Sequence, residues 1–471
     1  MEIAGKATKL KLTDIKSPQI RTFWITAIAF FMCFFAWFGI VPFMPAVKKS
    51  LGMSGDQANL SVIVAVSGTI FARLLLGKLC DKYGPRLCYT WMLLLGSLPV
   101  MGIAFVQTYE QFLFCRLLIG FIGASFVITQ VHTSLMFAPN CVGTANATSA
   151  GWGNLGGGAN RMIMPIIALG VVACGVAEAD AWRWSMGVAG VICFLMGLVY
   201  YKFTQDTPEG NFKDLKAAGK IKTDAQSKKE GGFLTAAKDY RSWILFLVYA
   251  GCFGIELTVY GKMDDYLQAQ FSLSRGQAGT LVACFALMNI FARTTGGFLG
   301  DKFGIKKGLK GRVQFLMLIM VIEGLILASF SQITYFPLAI VVLILFSLSV
   351  QMAEGATFTV VPFINKKCVG SVSGIVGAGG NAGAVLAAWL IREKCKTSHA
   401  SVDPSQITEA STKAAEAAGI SNSFLILGGI IVFAGIATAL VRFSAKDEEV
   451  AAAATKKAQE EAAALKGALP A

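Results

Sequence analysis

Twelve runs of about twenty apolar residues leave this 471-residue chain few ways to fold. At 1.5 Å per residue such a run, wound as a helix, is about 30 Å long, the thickness of a bilayer's hydrocarbon core. In that medium every backbone N–H and C=O must find its partner within the structure, so single apolar runs cross as helices. The spans are placed at 22–43, 58–79, 87–106, 111–136, 144–174, 182–203, 242–262, 276–300, 312–330, 336–362, 369–391 and 422–442. Composition agrees: 15% of residues are charged, against about 25% in soluble chains. The expected fold class is an all-α membrane protein surrounded by lipid. Eleven cysteines stand singly between Cys33 and Cys395 without a CxxC pair, which argues against a disulfide framework and a zinc site. No metal and no cofactor is expected.

The net charge of +14 is read through its distribution rather than as a signal for nucleic acid, which is not an expected partner. Counting those within two residues of a span end with the adjoining loop, 29 of the 42 Lys and Arg fall in the two termini and the loops after even-numbered spans, 9 in the odd-numbered loops and 4 deep inside spans. The positive-inside rule then puts both termini and the central loop in the cytoplasm. Residues 1–21 carry five basic residues and no cleavable apolar core of their own, so the first span reads as a retained helix. The expected organisation is a cytoplasmic segment 1–21, a six-helix half 22–203, a central loop 204–241, a second six-helix half 242–442 and a cytoplasmic tail 443–471. Lys394 to Ser421 is expected as a long outer loop. The Ala-rich tail from Asp447 reads as a solvated helix or a disordered end.

The halves repeat. FARLLLGKLCDKYG, Phe71 to Gly84, matches FARTTGGFLGDKFG, Phe291 to Gly304, at a constant offset of 220 residues. Spans two and eight are therefore equivalent, and the halves share one orientation, the parallel repeat characteristic of major facilitator transporters. GWGNLGGG in span five and GAGGNAGA in span eleven add a second echo that aligns Asn154 with Asn381. The fold expected is twelve transmembrane helices in two six-helix halves.

Several residues in this frame carry chemistry. Asp81 and Asp301 end the repeated motif, which resembles the facilitator loop motif, and they read as gating and packing residues; Arg116 of span four matches another facilitator position with a conformational or coupling role. Arg73 and Arg293 are the sharper signal. A guanidinium at midspan costs at least about 2.5–3.5 kcal/mol to insert, so it faces protein or water and marks a path. Two of them at equivalent positions describe an anion site, and the Arg fork suits a planar oxyanion better than Lys does. Glu256 and Glu354 are intramembrane acids with two readings, arginine partner or proton carrier; His132 is a weaker carrier candidate. Glycines 151, 153 and 156 in span five (Gly151, Gly153, Gly156) and Gly377, Gly379, Gly380 and Gly383 in span eleven permit close helix packing. Each set surrounds an Asn able to donate hydrogen bonds to an anion without adding charge.

AGWGNLGGG and GIVGAGGNAGAV are similar to the two nitrate signatures of the nitrate/nitrite porter family within the major facilitators. FARLLLGKLCDKYGPR, AWRWSM, QDTPEGN, LMNIFAR and AEGATFTVVPF most resemble the high-affinity nitrate transporters of plants, algae and fungi, over roughly Arg21 to Arg392. The resemblance implies that Arg73 and Arg293 bind nitrate, that Asn154 and Asn381 support the site, and that aromatic residues sandwich the flat anion, with Phe38, Phe126 and Tyr260 as candidates. It also implies a plasma-membrane location and raises a small single-span accessory subunit as a partner. The chain departs from the pattern at Tyr260 and Gly261, where relatives of the plant kind tend to show Asn, and at Arg161, where Gln is common. Arg161 either adds a third cation to the path or snorkels to the surface.

Importing an anion against an inside-negative potential costs about 2.3 kcal/mol per 100 mV, so accumulation needs coupling. The expected function is import of nitrate, with nitrite as a further substrate, by proton symport through alternating access. Exchange for nitrite, transport of another small anion, and a sensor with little flux are the competing readings. No phosphate loop, His-rich cluster or nucleophile elbow supports an enzyme.

Overall fold

The computed structural model describes residues 4–220, 232–403 and 407–467. Eleven stretches in it are long and apolar enough to cross a membrane, and one of these, the 56-residue Arg275–Phe330, holds two spans. We number the spanning helices α1 (Pro18–Phe38), α2 (Gly55–Tyr83), α3 (Pro85–Gly102), α4 (Tyr109–Met136), α5 (Val142–Ala173) and α6 (Ala181–Phe203). The second half contributes α7 (Tyr240–Phe271), α8 (275–307), α9 (309–330), α10 (Phe336–Ile364), α11 (Val369–Ala400) and α12 (Glu409–Ala437). A last helix, α13, runs Ala445–Gly467.

The repeat extends to the way the helices begin and end. Ser54 caps α2 and Ser274 caps α8, each accepting from a Gln backbone N–H three residues on while that Gln's side chain accepts from the cap's own N–H. Both are capping boxes, again offset by 220 residues. At the other end the halves diverge. Gly84 (φ +87°) precedes Pro85, whose ring disfavours helix in the residue before it, so α2 stops there. No proline follows Gly304, and the helix continues until Gly308 (φ +68°) breaks it. The polar interval expected between spans eight and nine is thus helical on both sides of one glycine.

The first half packs on the second by close backbone approach. A side chain at Gly77 on α2 would collide with the carbonyl of Gly370 on α11, and one at Gly297 on α8 with the carbonyl of Gly143 on α5. Around the bundle, large apolar side chains such as Trp91, Leu95, Phe105, Met162, Leu169 and Phe433 are exposed, forming the surface that lipid covers. Phe71 and Phe291, identical in the repeat, face outward, while the arginines two residues on are fully buried.

One extramembrane expectation changes. The segment 394–421, expected outside, is helical up to Ala400 and again from Glu409. The tail is a docked helix rather than a solvated or disordered one. Ala451, Ala458 and Ala462 lie on one face of α13 and are buried. Glu448 accepts from the backbone N–H groups of Leu309 (2.8 Å) and Lys310 (2.9 Å), capping the start of α9. Lys9 Nζ donates to Ala462 O (2.8 Å), so the two terminal segments meet on one face. Of the central loop, residues 221–231 of KAAGKIKTDAQSKKEGG lie outside the described residues. Nearby, Asp206 of QDTPEGN accepts from Arg86 N (2.8 Å) and Phe212 N (2.9 Å), and its burial pushes the carboxyl up to about 6.

Candidate functional site

Arg73 on α2 and Arg293 on α8 sit halfway along their helices and are 0% and 1% exposed. Both guanidiniums face the ring of Phe126 on α4, at 5.2 Å and 5.5 Å from its centroid, so they are no farther apart than these two distances laid end to end. Like charges about 10 Å apart repel by roughly 1–2 kcal/mol at an effective dielectric of about 20, and the negative ring faces offset part of that.

The ring belongs to a box. Phe126 stacks on Tyr249 (5.5 Å, 13°) and Phe253 (6.2 Å, 9°), and Phe358 meets it edge-on (4.9 Å, 89°). Tyr249 and Phe253 are one helical turn apart on α7, Tyr249 just before and Phe253 within a π-helical stretch Ala250–Gly254. That stretch is accommodated by α11: Gly379 and Gly383 lie against the backbone at Phe246 and Ala250, and Gly380 lies against the Phe253 ring. On the pseudo-symmetric side, Gly153 and Gly156 of α5 accept the ring of Phe30 and the backbone of Phe31.

The arginines differ in their partners. Arg73 donates to the carbonyls of Gly377 on α11 and Gly123 (3.4 Å), its Nε has no partner, and no carboxylate pairs with it among the described residues. Arg293 is ion-paired with Glu354 on α10 and donates to Tyr249 Oη (2.8 Å). Glu256 accepts from Asn289 Nδ2 (2.9 Å) rather than from an arginine. Arg116, buried, donates to Trp37 O (3.3 Å); the structure brings neither glutamate to it.

The two signature asparagines lie one turn along their helices from the arginine layer. Gly377 meets Arg73 Cδ at the distance of a Cβ contact (3.4 Å), and Asn381 follows four residues later, wholly buried, with neither amide atom partnered. Gly151 meets Arg293 Cβ (3.3 Å), and Asn154, three residues on, is half-buried with its Oδ1 unpartnered. Buried amides are nearly always hydrogen-bonded, so Asn381 with both amide atoms open is an exception.

Phe38 and Tyr260 do not join the box. Tyr260 is eleven residues beyond Tyr249, about 16 Å of helix, and stacks under Arg161 (4.8 Å), which also pairs with Asp264 (3.2 Å). Arg161 is therefore an exposed, ion-paired residue near the face opposite the termini rather than a free third cation. Phe38 lies eight residues past Phe30, against Trp37 and Phe34. His132 has both ring nitrogens engaged, Nδ1 with Tyr200 Oη (2.6 Å) and Nε2 with Gln205 O (2.7 Å), which makes it a strut between α4 and the end of α6. The residues that sequence reasoning missed are Tyr249, Phe253, Phe358 and Asn289. Phe358 carried a signal, being four residues from Glu354 on one helix face, as did Asn289, four before Arg293.

On the terminus-bearing face, Asp81 accepts from Gly370 N, Ser371 N and Ser371 Oγ, each at 2.7 Å, capping α11 of the other half. Asp301 accepts from Gly143 N (3.1 Å), Thr144 N (2.6 Å), Thr144 Oγ1 (2.7 Å) and Arg312 (2.5 Å), capping α5. These carboxylates on helix N-termini staple the halves together twice, by charge and by satisfied backbone donors. Arg312 donates to Pro139 O (2.7 Å) as well, reinforcing one staple only.

Known proteins agree with this architecture. Residues 26–388 match the family model described as Major Facilitator Superfamily. The "High affinity nitrate transporter 2.5" of Arabidopsis thaliana is 36% identical over 386 residues, covering 82% of this chain and 76% of its own. "Nitrate transporter 2.1" of Chlamydomonas reinhardtii is 36% identical over 398 residues, 83% of this chain and 72% of its own. Among solved structures, the proton:xylose symporter XylE bound to 6-bromo-6-deoxy-D-glucose superposes with a TM-score of 0.66 at 15% identity, over 89% of this chain and 95% of its own. That last likeness concerns the fold. With the paired arginines, the twin Asn-Gly signatures and relatives of this identity over this length, the chain belongs to the nitrate/nitrite porter family of the major facilitator superfamily, integral membrane transporters and not enzymes.

Proposed function

We propose that this protein imports nitrate in symport with protons, by alternating access about the arginine layer. The observation that carries the reading is the convergence of two buried guanidiniums on one aromatic ring, with a carboxylate paired to Arg293 alone. Such a site has a net positive charge, flat π surfaces and unpartnered amide valences one turn away, which fits a planar monoanion. Asn154 and Asn381 supply hydrogen-bond donors, and the Phe126 ring that both guanidiniums face gives the ion a flat surface.

Glu354 provides the coupling. While ionised it occupies Arg293; once protonated it releases the guanidinium, and nitrate takes the vacated donors. Proton and anion thus bind together because each removes the other's obstacle. Two protons per nitrate make the transported charge positive, so the membrane potential drives uptake instead of opposing it. The Asp81 and Asp301 staples hold the terminus-bearing face shut; its Lys and Arg excess supports a cytoplasmic side, and the family resemblance supports the plasma membrane as the location. Release inward requires both staples to open.

Labelled nitrate flux into proteoliposomes decides the matter. Accumulation driven by external acid, with an inward current of positive charge, is expected; Glu354→Gln should lose proton-driven accumulation and keep nitrate counterflow. Flux indifferent to pH at every voltage, and stimulated by nitrite inside, would overturn symport in favour of exchange.

A further inference from the structure

Glu323, on α9, has no part in the site described above. It is 0% exposed, and neither carboxylate oxygen has a hydrogen-bond partner among the described residues. An ionised carboxylate so placed costs several kcal/mol, and sequences rarely keep one without use.

Its position is fixed by its neighbours. Met320, one turn before it, packs on Gly251 of α7 (3.1 Å from the Cβ position), and Gly324 lies against Gly428 O of α12 (2.6 Å). Since α7 and α9 run in the same direction, Glu323 stands level with residues 254–256 of α7. The titratable groups that act on it from packed elements are Cys252 and Glu256 of α7 and Glu354 of α10; α12 presents Gly428 and Val432 beside it, without charge. Arg293 lies beyond, held by Glu354. Glu256 in turn is tied to the same layer through Asn289, which donates to it and stands four residues before Arg293, the partner of Glu354.

Resting on the proton-symport reading, we infer that Glu323 carries the second proton of the transport cycle, exchanging it with Glu354 by way of Glu256. The step is a relay. An O–H bond breaks on Glu323 as one forms on Glu256, and Glu256 passes its own proton to Glu354; the negative charge moves the other way, and no other reactant is needed. Glu256, at 6% exposure the least buried of the three, is where the relay meets the transport path.

Glu323→Gln tests this, because the amide keeps the volume and cannot carry a transported proton. Simultaneous current and labelled-nitrate measurement in voltage-clamped oocytes reads the charge moved per nitrate. Wild type should give about +1, and Glu323→Gln about 0, with uptake still driven by a pH gradient but insensitive to voltage. A ratio that stays at about +1 in Glu323→Gln overturns the role of Glu323 and leaves symport standing. A wild-type ratio of about 0 with acid-driven uptake overturns the second proton and leaves symport standing, and wild-type uptake indifferent to the pH gradient refutes symport itself. If Glu323→Gln fails to reach the membrane, Glu323→Asp decides: a ratio of about +1 with a shifted pH profile supports the relay, and a profile identical to wild type overturns it.

Discussion

Arg73 and Arg293 occupy equivalent positions of an internal repeat, yet Arg73 rests on two carbonyls while Arg293 is locked to Glu354 and Tyr249. The surrounding acids follow the same division. In the first half, Asp and Glu on spanning helices lie near helix ends, at Asp56, Asp81 and Glu110. In the second, Glu256, Glu323 and Glu354 are buried along α7, α9 and α10. One half therefore holds a buried cation on carbonyls and the other a buried cation paired with a carboxylate. A duplicated scaffold has kept its midspan arginines and changed the company around one of them.

Stability offers the strongest way to break this comparison. Removing Arg293 strands a buried carboxylate, so Arg293→Ala should lower unfolding free energy by about 3–5 kcal/mol, and Arg293→Ala with Glu354→Ala should recover part of it. Arg73→Ala removes an unpaired cation and should leave thermal unfolding in detergent unchanged or raised. Equal losses at both arginines would mean that the halves do not differ as described.

Transport sharpens it next. Arg73→Lys and Arg293→Lys each keep charge and lose the fork, and saturable nitrate uptake should fall by roughly 100-fold, about 2.7 kcal/mol, with membrane insertion intact. Near-normal uptake in either variant removes that residue from the site.

The asparagines should differ by less. Asn381→Ala deletes a buried amide with no partner, so the ligand-free protein should gain about 1 kcal/mol while nitrate affinity drops about tenfold. Asn154, half-buried, should show the same pattern more weakly. Loss of folding in Asn381→Ala with unchanged affinity would assign the amide to packing.

The smallest effect concerns Asp206, at the seam between α3 and the central loop. Its folded-state carboxyl lies near 6, above its unfolded value of 3.8, so the fold binds that proton more tightly than the unfolded chain. Its contribution favours the fold at low pH and is lost as pH rises through about 6. The melting temperature of wild type relative to Asp206→Asn should therefore fall by about 1–2 °C between pH 5 and pH 7.5. A constant difference would show that Asp206 titrates alike in both states.

Much was legible in the chain itself. Span number, the parallel halves and the paired arginines follow from apolar length and from a repeat at fixed offset, both one-dimensional properties. The boundary after span eight was misread because the helix-ending signal is Pro85 in one half and a single positive-φ glycine, Gly308, in the other. The docked tail was misread because alanines carry too little apolar surface to announce a buried face until a groove is there to receive them.

What the sequence by itself determined is a duplicated twelve-helix membrane bundle with one cation per half at midspan, since bilayer thickness and the insertion cost of a guanidinium constrain any chain of this pattern. Which acid holds which arginine, and which rings face them, was settled by tertiary packing. Tyr249, Phe253 and Phe358 converge on Phe126 only because glycines of α11 let α7 approach to backbone contact across a π-helical turn. Glu354 reaches Arg293 and not Arg116 for the same kind of reason: both arginines are buried cations in sequence, and the rotation and depth of α10 against α8 select between them.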